Sequence, residues 1–429
     1  MSERYRKSEQ FLSRALKTIP LGSQTFSKSK TQFPYGVSPY FIERGEGSHV
    51  WDMDDNEYID FINGLASVTL GYNDPDVNHA VKKQLENGVT FSLPHALETE
   101  VAEKIVEMVP CAEMVRFGKN GSDATTGAIR LARAFTGRNH IAACGYHGWQ
   151  DWYIGSTSRN MGVPKATIEL THTFAYNDLA SLETLFDQYP DQIAAVIMEP
   201  MNTTFPETGF LEAVKDTAHN NGTLLVFDEM LTGFRYAKGG AQEYFGVVPD
   251  LATFGKGMAN GYPLSAIVGR KEIMQLMEEV FFSFTFGGET LSLAAAKAVL
   301  EKIQQKPVLE TIRRQGEKVM EGVGQLITRH GVGHIFGLVG QAPLSYLVIK
   351  DTIHCTQWEI KTLFFQEMFE RGILTFGSHN MSYAHTAKDI EQLLLVYDEV
   401  FKLIRHAVDD GVLYEMLRAE PLVPLFKVR

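Results

Sequence analysis

Lys256 lies in the run Thr253-Phe254-Gly255-Lys256-Gly257-Met258-Ala259-Asn260-Gly261, at the end of an apolar stretch and among glycines. A ligand can approach a lysine in such a turn closely. Partial burial lowers the pKa of a lysine and makes it an imine-forming nucleophile. Taken alone, the same residue also reads as a solvated loop lysine. Asp228 closes the run Thr223-Leu224-Leu225-Val226-Phe227 and needs a partner there, because a carboxylate is costly to desolvate unpaired. A protonated pyridine nitrogen is one such partner, and keeping that nitrogen charged lets the ring store electrons. A helix cap or a salt bridge to Arg235 is the other reading. Asn120-Gly121-Ser122-Asp123-Ala124 stands between an apolar run and a helical pattern. Gly121 permits tight turning, Ser122 is a cap candidate, and the free N–H groups behind it make an anion site. No Walker loop follows, and Gly255, Gly257 and Gly261 are not spaced as a dinucleotide fingerprint.

Tyr146, in Tyr146-His147-Gly148-Trp149, can stack on a planar ring. His147 beside it reads as a packing or hydrogen-bonding residue, with a base as the other reading. Glu199, before Pro200, adds a second carboxylate at the end of an apolar run, and Thr285 offers a hydroxyl to an anion from Ser283-Phe284-Thr285-Phe286-Gly287-Gly288. Together these residues supply a phosphate cradle, a stacking ring, a carboxylate for a ring nitrogen and an imine-forming lysine. That set matches pyridoxal 5′-phosphate.

Such residues need a frame. From about residue 115, short apolar runs (114–117, 141–144, 194–198, 224–228, 251–254 and 265–268) alternate with helical patterns at 123–136, 178–188 and 210–220. The alternation predicts an α/β fold with an open, mostly parallel sheet sandwiched by helices, whose ligands sit at the carboxyl ends of the strands. Helical spacing is also expected over 5–19, 75–88 and 96–109, with a loop over 21–38 and a hairpin around 50–61. After about residue 307, helices 307–330, 356–370 and 387–408 and strands near 344–349 and 373–375 suggest a smaller α+β domain, followed by an extended tail over 418–429. The expected division is an N-terminal segment 1–55 belonging to the small domain, a large cofactor domain 56–306, and a C-terminal small domain 307–429.

Composition sets the outer limits. The chain has 429 residues, of which 44% are hydrophobic and 21% charged, so it can bury a large core without metal or disulfide staples. A net charge of −12 with no long basic run argues against nucleic acid and anionic membrane as partners. Cys111, Cys144 and Cys355 are far apart, which suggests neither a disulfide framework nor a metal site. The N-terminus is charged and amphipathic without a signal-peptide core, and no apolar run is long enough to span a membrane. A cytoplasmic location is expected.

The order of motifs resembles the class III aminotransferases, fold type I pyridoxal-phosphate enzymes, and within them the glutamate-1-semialdehyde aminomutase group. Asn120-Gly-Ser-Asp-Ala124, Arg130 to Arg138, Tyr146-His-Gly148, Asp228-Glu-Met-Leu-Thr-Gly-Phe-Arg235 and Phe254-Gly-Lys-Gly257 carry the resemblance. It implies that Lys256 holds the cofactor as an internal aldimine and shuttles a proton, and that Asp228 pairs with the pyridine nitrogen. It further implies that Gly121 and Ser122 bind the phosphate, that Tyr146 and Met230 cover the two ring faces, and that Glu199 lines the pocket. Thr285 would reach the phosphate of the neighbouring subunit of a homodimer.

The chain also departs from the family pattern. Leu231 stands where many transaminases have Gln, and Asn202 is the expected replacement contact. Pro20-Leu-Gly-Ser-Gln-Thr-Phe-Ser-Lys28 replaces the aminomutase loop, leaving Thr25 and Lys28 as stand-ins for its Ser and Arg. The Trp expected near Leu65 is missing, Phe376-Gly-Ser-His-Asn380 lacks the family's carboxylate, and Gly288-Glu289-Thr290 replaces Gly-Asn-Pro. Thr25, Lys28, His147, Arg235, His379 and Asn380 are the candidate substrate contacts, with Arg235 foremost for a carboxylate. The expected activity is transfer of an amino group from a small-molecule donor to a carbonyl acceptor, such as an oxo-sugar or another polar intermediate. An intramolecular aminomutase is the first alternative and a non-catalytic cofactor-binding module the second.

Overall fold

A computed structural model describes residues 3–423. Among the described residues, fourteen strands follow one another: β1 (Ile42–Glu46), β2 (His49–Asp52), β3 (Glu57–Asp60), β4 (Met114–Gly118), β5 (His140–Cys144), β6 (Thr171–Thr173), β7 (Ile193–Met198), β8 (Leu224–Asp228), β9 (Leu251–Phe254), β10 (Ser265–Gly269), β11 (Phe336–Gln341), β12 (Leu344–Ile349), β13 (Ile373–Leu374) and β14 (Ser378–Asn380). The chain divides into two compact units. One comprises Gly64–Thr69 and Pro75–Leu309. The other combines the described residues up to Asn63, Leu70–Asp74 and the described residues from Glu310.

The first unit is built on a seven-stranded sheet in the order β4-β10-β9-β8-β7-β5-β6. Only β10 runs against the rest, pairing antiparallel with β9 and β4, while β6, β5, β7, β8 and β9 pair in parallel. Every residue of β7, β8, β9 and β10 is buried. This is why these strands read as unbroken apolar runs rather than alternating ones. Helix Gly121–Thr136 packs Ala124, Ala128, Leu131 and Ala132 against Ile141, Ile197, Val226 and Ile267. Small residues permit the close approach: a Cβ at Gly127 would fall 2.3 Å from Ile267 Cδ1. Because β4, β5, β7, β8 and β9 share one direction, their carboxyl ends form one edge. Asp228, which ends β8, and Asn120, Tyr146, Glu199 and Lys256, which follow the other strands, are thereby placed on that edge.

The second unit has a four-stranded sheet, β1-β2-β3-β13, and a three-stranded one, β11-β12-β14. Helices Arg6–Ala15, Gln357–Glu370 and Ala387–Asp409 accompany them, and the aromatic core includes Phe336 stacked on Phe401 at 4.7 Å. The expected loop over 21–38 contains three short 3-10 turns. The expected tail over 418–429 lies partly outside the described residues. Sequence spacing missed β1, β6, β11 and β14, whose three to six residues carry too little alternation to register.

In the second unit, His49 ties β2 to β3 and to the start of helix Ala387–Asp409. Its Nδ1 lies 2.8 Å from Glu57 and its Nε2 3.1 Å from Asp389. The bond to Asp389 above all holds the imidazole above its usual range. Against the upward push of burial, bonds from His49, the Thr386 amide and Ser48 hold the Asp389 carboxyl below its usual range. A raised histidine pKa stabilises fully below the unfolded value and fades as pH climbs through the folded one. A depressed carboxyl pKa stabilises above its unfolded value and is lost on acidification. The Tm difference between wild type and His49→Gln is therefore expected to be largest near about pH 5 and to shrink above about pH 8. Thermal melts across that range check it.

Candidate active site

Helix Gly121–Thr136 opens with a capping box: the Asp123 amide donates to Asn120 Oδ1 at 3.2 Å, and the Asn120 amide to Asp123 Oδ2 at 2.9 Å. The cap is therefore Asn120 and not Ser122, which becomes the second residue of the helix. The first amides of the helix have no partner within it and face an anion site strengthened by the helix dipole. Ser122 Oγ accepts from the Trp149 amide at 3.1 Å, and Thr125 Oγ1 donates to the His147 carbonyl at 2.9 Å. These bonds pin the loop after β5 onto the first turn of the helix. A hydroxyl that accepts one bond still has its proton to donate.

The loop depends on Gly148, at φ +101°, where a Cβ would lie 2.2 Å from Ser122 Oγ. Gly148→Ala is expected to displace Ser122 and to weaken pyridoxal-phosphate binding by about 10-fold or more. Fluorescence titration of the apoprotein measures it. The Tyr146 ring is 36% exposed and meets Tyr153 edge-on at 5.7 Å. Its amide donates to Glu199 Oε2 at 3.2 Å, which ties the ends of β5 and β7 together.

Asp228 is 3% exposed. Oδ2 stands 2.8 Å from His147 Nδ1, and Oδ1 receives the Met230 amide at 3.1 Å and Thr253 Oγ1 at 3.4 Å. Thr253 is the register partner of Asp228 on β9. His147 is 1% exposed, and its Nε2 lies 3.1 Å from the Cys144 carbonyl oxygen. A carbonyl oxygen can only accept, so Nε2 donates there, and Nδ1 faces the Asp228 carboxyl. Both ring nitrogens are thereby engaged, one by the Asp228 carboxylate and one by the backbone. Next to Asp228, Glu229 is fully buried. Burial pushes its carboxyl up, against donation from Thr232 and from the Ala241 and Gln242 amides. It is a structural carboxylate.

Lys256 begins a 3-10 turn after β9, is half-buried, and holds φ +42°. A non-glycine residue in that region is strained unless its surroundings fix it. Met230 lies between the phosphate cradle and this turn: added Cβ atoms at Gly121 and Gly255 would stand 3.1 and 2.8 Å from its sulfur. A helix N-terminus with a serine, a half-exposed tyrosine ring, a buried carboxylate with three partners behind it and a lysine thus occupy one sheet edge. Glycines keep the approaches clear. The donor set fits pyridoxal 5′-phosphate.

Other expected contacts stand apart from this set. Thr285 is exposed, in a stretch with Phe281 and Phe286, which are 79% and 58% exposed. Asn202 turns its side-chain oxygen to its own loop, accepting from the Thr204 amide at 3.1 Å, so a bond to the cofactor would have to come from its amide nitrogen. Four candidate substrate contacts are buried. His147 is buried behind Asp228, with both ring nitrogens engaged. Arg235 is 2% exposed and donates Nη2 to the Ala66 carbonyl at 3.1 Å. His379 is wholly buried between Ser345 Oγ at 2.9 Å and Tyr397 at 2.8 Å, and burial pushes its imidazole down to about 3. Asn380 is buried, its amide donating to the Ile62 carbonyl at 2.9 Å. Thr25 and Lys28 lie on the 3-10 turns of the other unit, with Lys28 exposed.

The Glu289 departure has a structural reason. Its carboxylate caps helix Thr290–Gln305 and pairs with Lys119 at 2.9 Å. Thr253 and the His147 bond to Asp228 were missed by sequence reasoning. Thr253 could have been found as the residue facing Asp228 on the next strand. Among the described residues, no group of three or more metal-ligating side chains occurs, and no helix is long and apolar enough to cross a membrane.

The family model Aminotransferase class-III matches residues 32–387. A 3-aminobutyryl-CoA aminotransferase from Cloacimonas acidaminovorans is 36% identical over 83% of this chain and 88% of its own. A glutamate-1-semialdehyde 2,1-aminomutase from Lachnoclostridium phytofermentans is 35% identical over 92% of this chain and 99% of its own. The solved PLP internal aldimine form of FumI from a Sphingopyxis species superposes with a TM-score of 0.88 at 29% identity, covering 97% of this chain and 99% of that one.

Proposed function

Since this chain belongs to the class-III aminotransferases, enzymes that transaminate with pyridoxal 5′-phosphate, we propose that it moves an amino group between two separate small molecules, with Lys256 and Asp228 as catalytic residues. The observation that carries the assignment is the convergence of His147, the Met230 amide and Thr253 on the Asp228 carboxylate, at the end of the strand beside β9 and Lys256. When bound, the cofactor supplies an aldehyde carbon for amines and a ring that stores electrons.

Lys256 Nζ holds the cofactor covalently and moves the proton at the donor's amine-bearing carbon. Asp228 holds a proton at the ring nitrogen, and His147 fixes the carboxylate from behind. The first amides of helix Gly121–Thr136, with Ser122 Oγ, bind the phosphate. Tyr146 and Met230 cover the ring faces, Glu199 lines the pocket, and the Asn202 amide nitrogen stands in for the missing glutamine. Exposed Phe281 and Phe286 beside Thr285 support a homodimer in which Thr285 serves the neighbouring site, since large exposed apolar rings mark interaction surfaces. Three free, separated cysteines support a cytoplasmic setting.

The acceptor on this reading is a polar carbonyl compound such as an oxo-sugar, and the name of the 3-aminobutyryl-CoA relative suggests a donor with its amine at the third carbon of an acyl chain. A donor–acceptor screen read by mass spectrometry tests it: product in pairs of substrates supports transamination. The aminomutase relative supports a second reading, intramolecular transfer. Sustained turnover of a single amino-aldehyde would establish that reading and remove the first.

A further inference from the structure

The segment Gly64–Thr69 belongs to the same unit as Lys256 and opens in an unusual conformation. Gly64, Leu65 and Ala66 stand at φ +58°, +61° and +66°, one turn of left-handed backbone. Glycine takes that region freely, whereas leucine and alanine do not, and they stay there only where the surroundings hold them. Two contacts do so. Arg235, 2% exposed, donates Nη2 to the Ala66 carbonyl at 3.1 Å. Thr69, 1% exposed, lies against Gly257, where a Cβ would come within 2.2 Å of Thr69 Oγ1. The left-handed turn is thus braced by the loop that follows Asp228 and by the turn that carries Lys256.

We propose that Arg235 is a positioning residue that acts through the Ala66 carbonyl. It clamps the left-handed turn beside the Lys256 turn as a fixed wall of the substrate site, and takes no substrate carboxylate itself. This rests on the transaminase reading above. A guanidinium this buried, spending a donor on a backbone carbonyl, is a poor first contact for an incoming acid. It is well suited to fix strained backbone, because a charge-assisted bond to a carbonyl is stronger than a neutral one.

The experiment compares Arg235→Gln, Arg235→Lys, Ala66→Gly and the Arg235→Gln/Ala66→Gly double variant in the holoenzyme, with amino-acid donors and with monoamines that lack a carboxylate. Arg235→Gln is expected to raise KM about 10- to 100-fold for both donor classes alike, with a much smaller change in kcat and the yellow chromophore retained. Arg235→Lys, which keeps one donor, falls between. The loss from Arg235→Gln should be smaller in the Ala66→Gly background, because glycine keeps φ +66° without a clamp, and that non-additivity marks the coupling. Limited proteolysis gives a readout free of activity: cleavage near residues 64–69 rises in Arg235→Gln and falls again in the double variant.

A KM increase confined to carboxylate donors overturns the proposal, as do strictly additive effects of the two substitutions. If Arg235→Gln does not fold, Arg235→Lys carries the same donor comparison. If the wild-type protein transaminates no donor, the transaminase reading fails on its own, and the proteolysis pattern still decides whether Arg235 clamps the turn.

Discussion

Replacing Lys256 with alanine is expected to lower amino transfer by about 10³-fold or more and to bleach the protein, with little change in the Tm of the apoprotein. Proton transfer by one positioned side chain is worth about 10²- to 10⁴-fold, and losing the covalent attachment adds to that. Alanine adopts φ +42° no more easily than lysine does, so the backbone strain at this position is unchanged. The lysine side chain is half-buried and contributes modest packing. Lys119, which follows β4 on the sheet edge, is held by Glu289 at 2.9 Å and is not expected to take over. Single-turnover kinetics and the visible spectrum check the prediction. A yellow, active Lys256→Ala protein would move the chemistry to another residue.

Asp228→Asn is the second large effect: kcat is expected to fall about 10²- to 10⁴-fold while colour and fold persist. Asparagine keeps the volume and can still accept the Met230 amide, but it lacks the charge that keeps a proton on the ring nitrogen. His147 acts only through Asp228, so His147→Asn is expected to cost about 10-fold, and the two substitutions together little more than Asp228→Asn alone. Additive losses would show that His147 has a separate role. Steady-state kinetics of the three variants, with spectra to verify loading, make the comparison.

The strands of the large sheet were legible because they are buried on both faces, and their apolar runs end where polar residues begin. The same runs drew attention to Asp228, which closes one, and to Lys256, which follows another after Gly255, although each alone also reads as a structural residue. What stayed hidden depends on contacts far apart in sequence. Nothing near His379 signals that Ser345 and Tyr397 enclose it. Arg235 looks like a free cation until the Ala66 carbonyl is placed beside it. The left-handed turn at Gly64–Ala66 carries only one glycine, so local propensity gave no warning. The sequence reading of His147 as a packing or hydrogen-bonding residue did not extend to its partner, because Asp228 lies 81 residues further on.

The second compact unit draws its strands from opposite ends of the chain, and this sets a timetable for synthesis. Asn63 bonds to the Asn380 carbonyl 317 residues later, and Ser48 to Asp389 341 residues later. Closing such spans costs little extra free energy, because the cost grows only with the logarithm of length. It does cost time. At roughly 5–20 residues per second, β1, β2 and β3 leave the ribosome about 15 to 60 s before β13 and helix Ala387–Asp409 exist to cover them. The segment Pro75–Leu309, continuous in sequence, can fold in that interval. The earliest part of the polypeptide is therefore the last to be sheltered, and a nascent chain stalled short of residue 370 would present β3 as an open edge to its neighbours.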